Sequence, residues 1–242
     1  MLTLDSICGL KIYQNKKGYR FSVDSLLVFS FVNLSHAKKI ADLGAGSGII
    51  GLLLARRYKD SKVYLIELQK SLYENCKKNI EVNNLAERVV ALNEDIRLIA
   101  KARAIQGLED NSFDLIVSNP PFRRLKTGRI SPEDERALAR HEITMELKDL
   151  LKASYRLLKA GGRVCFIYLP ERLAEVLLTL RNTGLEPKRM RFVHSKFNEQ
   201  ARMVLIEAAK ERKPGITVEK PFIIYNEDGT YTDEMASIYE SQ

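Results

Sequence analysis

The sequence predicts an α/β fold: a doubly wound, mostly parallel seven-stranded sheet that ends in an antiparallel hairpin. Three observations carry this. From about residue 38, apolar runs of strand length alternate with amphipathic helical segments, the pattern of a parallel sheet covered on both faces. The first of these runs passes straight into a glycine-rich turn. The last two extended stretches are only a few residues apart, too close for a helical crossover.

The elements follow in order. Residues 39–43 are a short apolar run ending at glycines, and residues 47–58 carry helical periodicity. A second buried strand is expected at 63–66, a second helix at 70–83 and a third strand at 88–92. The fourth strand, 113–118, runs into Asn119-Pro-Pro-Phe122. Over 146–159 the leucines at 147, 150, 151, 157 and 158 make one helix face, which Gly161 and Gly162 should end before a fifth strand at 163–169. Residues 188–194 and 202–208 form the expected hairpin, 219–225 a further extended piece, and Asp228-Gly229 a turn. Two segments stand outside this pattern: 1–37, read as an N-terminal extension packing over the site of the 38–242 domain, and the long connection 123–145. A connection of that length is more often functional than idle.

Composition narrows the function classes. The chain has 242 residues, 45% of them hydrophobic and 29% charged, ordinary values for a globular protein. Its longest apolar run, Ile49 to Ala55, is far short of the ~20 residues a bilayer span needs. The N-terminus carries Asp5 early and has no basic segment, so it does not read as a signal peptide. Cys8, Cys76 and Cys165 are distant and odd in number, which argues against a disulfide framework or a metal cluster and favours a reducing cytoplasm. Lys and Arg number 39 against 31 Asp and Glu, and the formal charge of +8 points toward an anionic partner such as nucleic acid.

Asp42-Leu-Gly-Ala-Gly-Ser-Gly48 lies where a strand becomes a helix, a place where glycines let the backbone turn tightly and approach a ligand. Gly46 to Gly51 also matches G-x-G-x-x-G literally, with Glu67 at a fitting distance, so a nicotinamide cofactor is formally open. The register argues otherwise, because Gly44 follows the apolar run directly and Asp42 precedes it. That arrangement resembles the cofactor loop of S-adenosylmethionine-dependent methyltransferases. The resemblance implies cofactor contacts at Asp42, Gly44, Gly46 and Gly48. It also implies that Glu67, with Leu68 beside it, accepts from the ribose hydroxyls, and that Asp95 meets the adenine amine with Ile96 against the ring. Asp95 also reads as a helix N-cap, the lesser of the two readings, and both roles can hold together.

Asn119-Pro-Pro-Phe122 is the sharpest signal. Successive prolines hold the backbone extended, so the Asn119 side-chain oxygen and the Pro120 carbonyl can point the same way. Two such acceptors match the two hydrogens of a planar amine, a poor nucleophile that gains from preorganised stabilisation as charge develops on nitrogen. Phe122 offers a face for stacking on a flat substrate. Asn119, Pro120, Pro121 and Phe122 are therefore the candidate catalytic residues, with Asn119 also beside the cofactor.

This combination resembles the amino-methyltransferases that modify adenine N6, guanine N2 or a glutamine side chain. With Gly18-Tyr-Arg-Phe-Ser-Val-Asp-Ser-Leu-Leu27 and Ala139-Arg-His-Glu142, it is similar along most of its length to the bacterial family that methylates N6 of adenine 37 in valine tRNA. What the resemblance implies is a Rossmann-like methyltransferase fold, S-adenosylmethionine as donor, and an adenine beside the anticodon as acceptor. Tyr19, Phe21 and Asp24 would cover the cofactor. Arg123, Arg124, Lys126, Arg129 and Arg140 follow the catalytic loop, and Lys188, Arg189, Arg191 and Lys196 form a second basic group; both are expected to meet phosphates. His141 and Glu142 are expected to position the substrate loop rather than catalyse. Rival readings are a guanine-N2 rRNA methyltransferase, a glutamine-N5 protein methyltransferase, a nicotinamide oxidoreductase and a non-catalytic RNA-binding module. No metal is expected, and the oligomeric state is open, with a monomer slightly favoured.

Overall fold

The structure is a computed structural model that describes residues 2–15, 23–101, 104–121 and 146–240. A two-stranded antiparallel hairpin comes first, β1 (Leu2–Ile7) and β2 (Leu10–Asn15), followed by helix α1 (Val23–Phe31). The alternating core then runs β3 (Lys39–Leu43), α2 (Ile49–Arg57), β4 (Lys62–Ile66), α3 (Lys70–Val82), β5 (Val89–Leu92), α4 (Ile96–Ala100) and β6 (Phe113–Ser118). After it come α5 (Leu147–Leu157), β7 (Leu158–Tyr168), α6 (Leu173–Asn182), β8 (Leu185–His194) and β9 (Ala201–Lys210). Two short strands, β10 (Thr217–Val218) and β11 (Phe222–Ile223), and α7 (Asp233–Glu240) close the chain.

The seven long strands lie in the order β5-β4-β3-β6-β7-β9-β8, all parallel except β9, with β10 and β11 added along β8. The order reverses between β3 and β6. In an open α/β sheet a ligand crevice forms at such a point, outside the carboxyl ends of the strands. That places the glycine turn after β3 and the Asn119 turn after β6 side by side. Two apolar layers flank the sheet. One joins the hairpin, α1, α2, α3 and α7 to one face, and the other joins α4, α5 and α6 to the opposite face. The five residues of β3 read as a continuous core run because Ile40, Ala41 and Leu43 are inaccessible between these layers.

The paired glycines act differently from the expected helix stop. Helix α5 ends at Leu157, and Leu158 already pairs with Phe113 at the start of β7. Gly161, at φ +74°, and Gly162 sit in the irregular stretch that follows, where a Cβ on Gly162 would stand 2.9 Å from two carbonyl oxygens. The N-terminal hairpin turns at Cys8 and Gly9, with φ of 45° and 70°. It docks on α3 through side-chain amides. Asn79 accepts from Tyr13 N (2.6 Å) and donates to Tyr13 O (3.2 Å), and Asn83 bonds both main-chain groups of Lys11.

Candidate active site

The glycine turn is a consequence of the β3–α2 junction. Gly44, Gly46 and Gly48 have φ of 75°, 59° and 85°, all left-handed, a region in which a side chain is strained. Gly51 has a different reason to be glycine: a Cβ there would lie 2.2 Å from a Leu65 methyl. The literal G-x-G-x-x-G match therefore includes one glycine fixed by helix-to-sheet packing. Asp42, wholly buried at the end of β3, accepts from Gly51 N at 3.0 Å, and its second oxygen has no partner among the described residues. Glu67, just past β4, accepts from Gly46 N (2.9 Å) and Gln69 N (2.8 Å).

These bonds separate the two cofactor readings. A dinucleotide pyrophosphate needs free amides at the turn and the helix start. Here Gly44 N and Ala45 N already donate to Ile66 O, Gly46 N to Glu67 and Gly51 N to Asp42. Two acids stand where a pyrophosphate would bring more negative charge. Burial, offset in part by the Gly51 amide and reinforced by Glu67, pushes the Asp42 carboxyl up to about 7. Burial likewise raises Glu67 against the amides it accepts from. Such a site fits a ligand that brings positive charge and hydrogen-bond donors, as the sulfonium and hydroxyl groups of S-adenosylmethionine do.

The sign of the Asp42 shift has a consequence for the free protein. A carboxyl whose folded pKa is raised favours the fold while protonated, and this contribution is lost as pH rises from ~4 through about 7. Asp42→Asn should therefore flatten the fall in Tm between pH 5 and pH 8. An unchanged pH dependence in the variant would contradict the assignment.

From behind, α3 holds the turn's carbonyls. The Cys76 thiol reaches Gly46 O at 3.1 Å, and Asn79 Nδ2 reaches Ser47 O at 2.9 Å. Asn93 donates to both Glu67 O and Leu68 O at 2.8 Å, fixing the backbone that presents Glu67. Asp95 caps α4 through Arg97 N (2.9 Å) and also pairs with the Arg97 guanidinium. Burial raises its pKa, but the Arg97 bonds outweigh this and hold the carboxyl below its ordinary value. Ile96 is buried beside it.

At the carboxyl end of β6, Ser118 Oγ donates to Leu43 O at 2.7 Å and locks the two strands at the crossover. Asn119 is half-buried, Pro120 buried and Pro121 exposed. Asn119 Nδ2 donates to the hydroxyl of Ser25 at 3.2 Å. Ser25 is buried in the first turn of α1, next to Asp24. Among the described residues the Asn119 side-chain oxygen accepts no hydrogen bond, so the amide's donor end is bonded to the protein and its acceptor end is unengaged among them. Ser25 lies within the N-terminal motif, but its side chain carries no sequence signal of its own; only the fold, which brings the start of α1 to the turn after β6, reveals it. Removing its hydroxyl frees the amide to rotate. Ser25→Ala should lower the single-turnover rate roughly fivefold, the worth of about one hydrogen bond, and leave S-adenosylmethionine affinity unchanged. Ser25→Thr should retain the rate, and equal rates for wild type and Ser25→Ala would sink this role.

Tyr19, Phe21, Phe122, Arg123, Arg124, Lys126, Arg129, Arg140, His141 and Glu142 lie outside the described residues. The second basic group is placed along β8 and after it. Arg189 bonds Glu207 and Glu219 at 3.0 Å and stacks on Phe31, and Arg191 forms two 2.7 Å bonds to Glu234. Lys188 and Lys196 donate to the carbonyls of Lys213 and Glu227. Both arginines thus tie the C-terminal segment to the sheet, and either could meet a phosphate only by releasing an internal carboxylate. Among the described residues no cluster of three metal-ligating side chains occurs, and no helix is long and apolar enough to cross a membrane.

Comparison with known proteins agrees with this geometry. The methyltransferase small domain family matches residues 21–179. A Shewanella sediminis protein named tRNA1(Val) (adenine(37)-N6)-methyltransferase is 30% identical over 90% of this chain and 89% of its own. A Porphyromonas gingivalis protein of the same name is 30% identical over 82% and 77%. Among solved structures, one described as a predicted O-methyltransferase from Agrobacterium tumefaciens superposes with a TM-score of 0.72 at 24% identity, covering 90% of this chain and 96% of that one. TYW2 from M. jannaschii, in complex with AdoMet, gives 0.59 at 19% identity, covering 88% and 87%. At these identities the two structures establish the fold. The chain belongs to the methyltransferase small domain family and, within it, to the S-adenosylmethionine-dependent tRNA1(Val) (adenine(37)-N6)-methyltransferases.

Proposed function

We infer that the protein methylates the exocyclic N6 of an adenine in tRNA, adenine 37 beside the anticodon of valine tRNA, acting in the cytoplasm. The observation that carries the reading is Asn119, at the crossover of the sheet, with its donor end held by Ser25 and its acceptor end unengaged among the described residues. Bound S-adenosylmethionine supplies a methyl group on a sulfonium whose departure as a neutral thioether drives transfer to nitrogen.

The chain's own residues would do the rest. Asp42, Gly44, Gly46, Gly48, Glu67, Leu68, Asp95, Ile96, Asp24 and Phe21 hold the donor, with Glu67 on the ribose hydroxyls and Asp95 on the adenine amine. Asp95 keeps its N-cap bond while doing so, because a carboxylate has lone pairs for both. The Asn119 oxygen and the Pro120 carbonyl accept the two amine hydrogens of the target base, favouring the tetrahedral nitrogen of the transition state. Phe122 stacks on that base, which must leave its loop to reach the pocket. No strong base is required, since the methylated nitrogen sheds its surplus proton readily. Arg123, Arg124, Lys126, Arg129, Arg140, Lys188 and Lys196 meet neighbouring phosphates, and His141 positions the loop.

The experiment is transfer of labelled methyl from S-adenosylmethionine to acceptors of different class. Label in tRNA from cells lacking the modification is expected. Label confined to a protein acceptor or to ribosomal RNA would overturn the reading in favour of the glutamine-N5 or guanine-N2 alternative.

A further inference from the structure

The β8–β9 hairpin turns at the same edge of the sheet as the candidate site. β8 is parallel to β6, so its end at His194 and the start of β9 at Ala201 both lie at the carboxyl edge, where β6 delivers Asn119. β9 and β8 stand two and three strands from β6, a lateral offset of roughly 10–14 Å at ~4.8 Å per strand. At the corner of this turn stands Phe197, 76% exposed, the most exposed of the large apolar side chains described.

The turn is firmly held. Glu199 N donates to Lys196 O at 3.1 Å, and His194 Nδ1 donates to Glu199 O at 2.7 Å. Outside it, Tyr225 N donates to Ser195 O and Lys196 Nζ to Glu227 O, both at 2.8 Å. A phenyl ring held on a pinned turn loses less entropy on binding than one on a mobile loop. Another exposed aromatic side chain near this turn behaves differently. Tyr231, 40% exposed, is stacked between Tyr225 (5.3 Å) and Tyr239 (5.5 Å), so both its faces are taken. Phe197 makes no ring contact among the described residues; Lys196 precedes it in the chain, and Arg202, five residues on, pairs with Glu199 at 3.5 Å.

We propose that Phe197 is a stacking platform for an unpaired RNA base, a neighbour of the target adenine held outside the catalytic pocket. The offset along the edge leaves room for a splayed loop to lay one base in the pocket and another on this ring. Flat aromatic faces are how proteins hold single-stranded bases whatever their identity, and the adjacent Lys196 ammonium, with donors beyond its bond to Glu227 O, suits the backbone between them. The inference rests on RNA being the substrate, and its test separates the two.

Binding of a fluorescently labelled anticodon stem-loop is measured by anisotropy with the full chain, alongside S-adenosylmethionine affinity by calorimetry. Phe197→Ala should raise the RNA Kd about tenfold or more, the size expected for one lost base stack. Phe197→Tyr should stay within about twofold of wild type, and donor affinity should be the same in all variants. An RNA Kd for Phe197→Ala within twofold of wild type overturns the proposal, as does rescue by Phe197→Leu equal to that by tyrosine. If wild type methylates tRNA adenine while Phe197→Ala binds normally, the platform falls and the function stands. If wild type methylates no RNA adenine but Phe197→Ala still weakens RNA binding, the reverse holds.

Discussion

Asn119→Ala should cut the rate of methyl transfer by about 10²–10³-fold, the usual loss when one preorganised polar group facing developing charge is removed. The effect should fall on kcat. S-adenosylmethionine affinity should shift by no more than a few fold, because in the proposed reading the donor is held chiefly by the loop after β3 and by Glu67. Stability should change little, since Asn119 is half-buried and gives up a single bond to Ser25. Presteady-state transfer to tRNA with donor at saturation checks this. A variant that transfers at more than a tenth of the wild-type rate would mean that other groups hold the acceptor amine.

Glu67→Ala should have the largest effect on donor binding. The carboxyl is delivered by β4, and its backbone is clamped by Asn93. A hydrogen bond to a charged group is worth roughly 1.5–3 kcal/mol, so losing the ribose contacts should weaken binding about 100-fold. Glu67→Gln, which keeps one acceptor oxygen, should fall between. Calorimetric titration with S-adenosylmethionine measures both, and unchanged affinity in Glu67→Ala would remove Glu67 from the site. Some loss of stability should accompany the alanine variant, because the buried Gly46 amide would lose its acceptor.

How much of this was legible in the sequence differs by level. The parallel core was legible because strands buried on both faces are short and continuously apolar, as in Lys39–Leu43 and Phe113–Ser118. The terminal hairpin was legible from spacing alone. The N-terminal hairpin was not read, although Leu10 and Ile12 alternate with Lys11 and Tyr13. Its tight turn uses Cys8 at positive φ, a residue type that gives no turn signal. The spacing extends the helix that ends at Leu157 by two residues, because Leu158 continues the helical period while in fact pairing with Phe113.

At the site, the residues with intrinsic chemistry or backbone meaning stood out: the glycines, Asp42, Glu67 and Asn119. Their supports did not. Ser25, Cys76, Asn79 and Asn93 reach the site from other elements, and side chains of these types are common enough to carry no local signal. The basic group on β8 shows the converse. Arg189 and Arg191 looked like a phosphate surface, yet each is engaged with acids from β9 or the C-terminal segment, partners that only the folded register brings near.

Whether Asn119 presents an adenine amine for methylation is decided by the nucleoside formed. Valine tRNA lacking the modification is incubated with S-adenosylmethionine and the intact chain, digested at known sites, and its fragments and nucleosides are identified by mass. N6-methyladenosine in the anticodon-loop fragment at position 37, absent with Asn119→Ala, is the expected result. Methylguanosine, methylation of a ring nitrogen, or N6-methyladenosine that persists in the Asn119→Ala variant would contradict it.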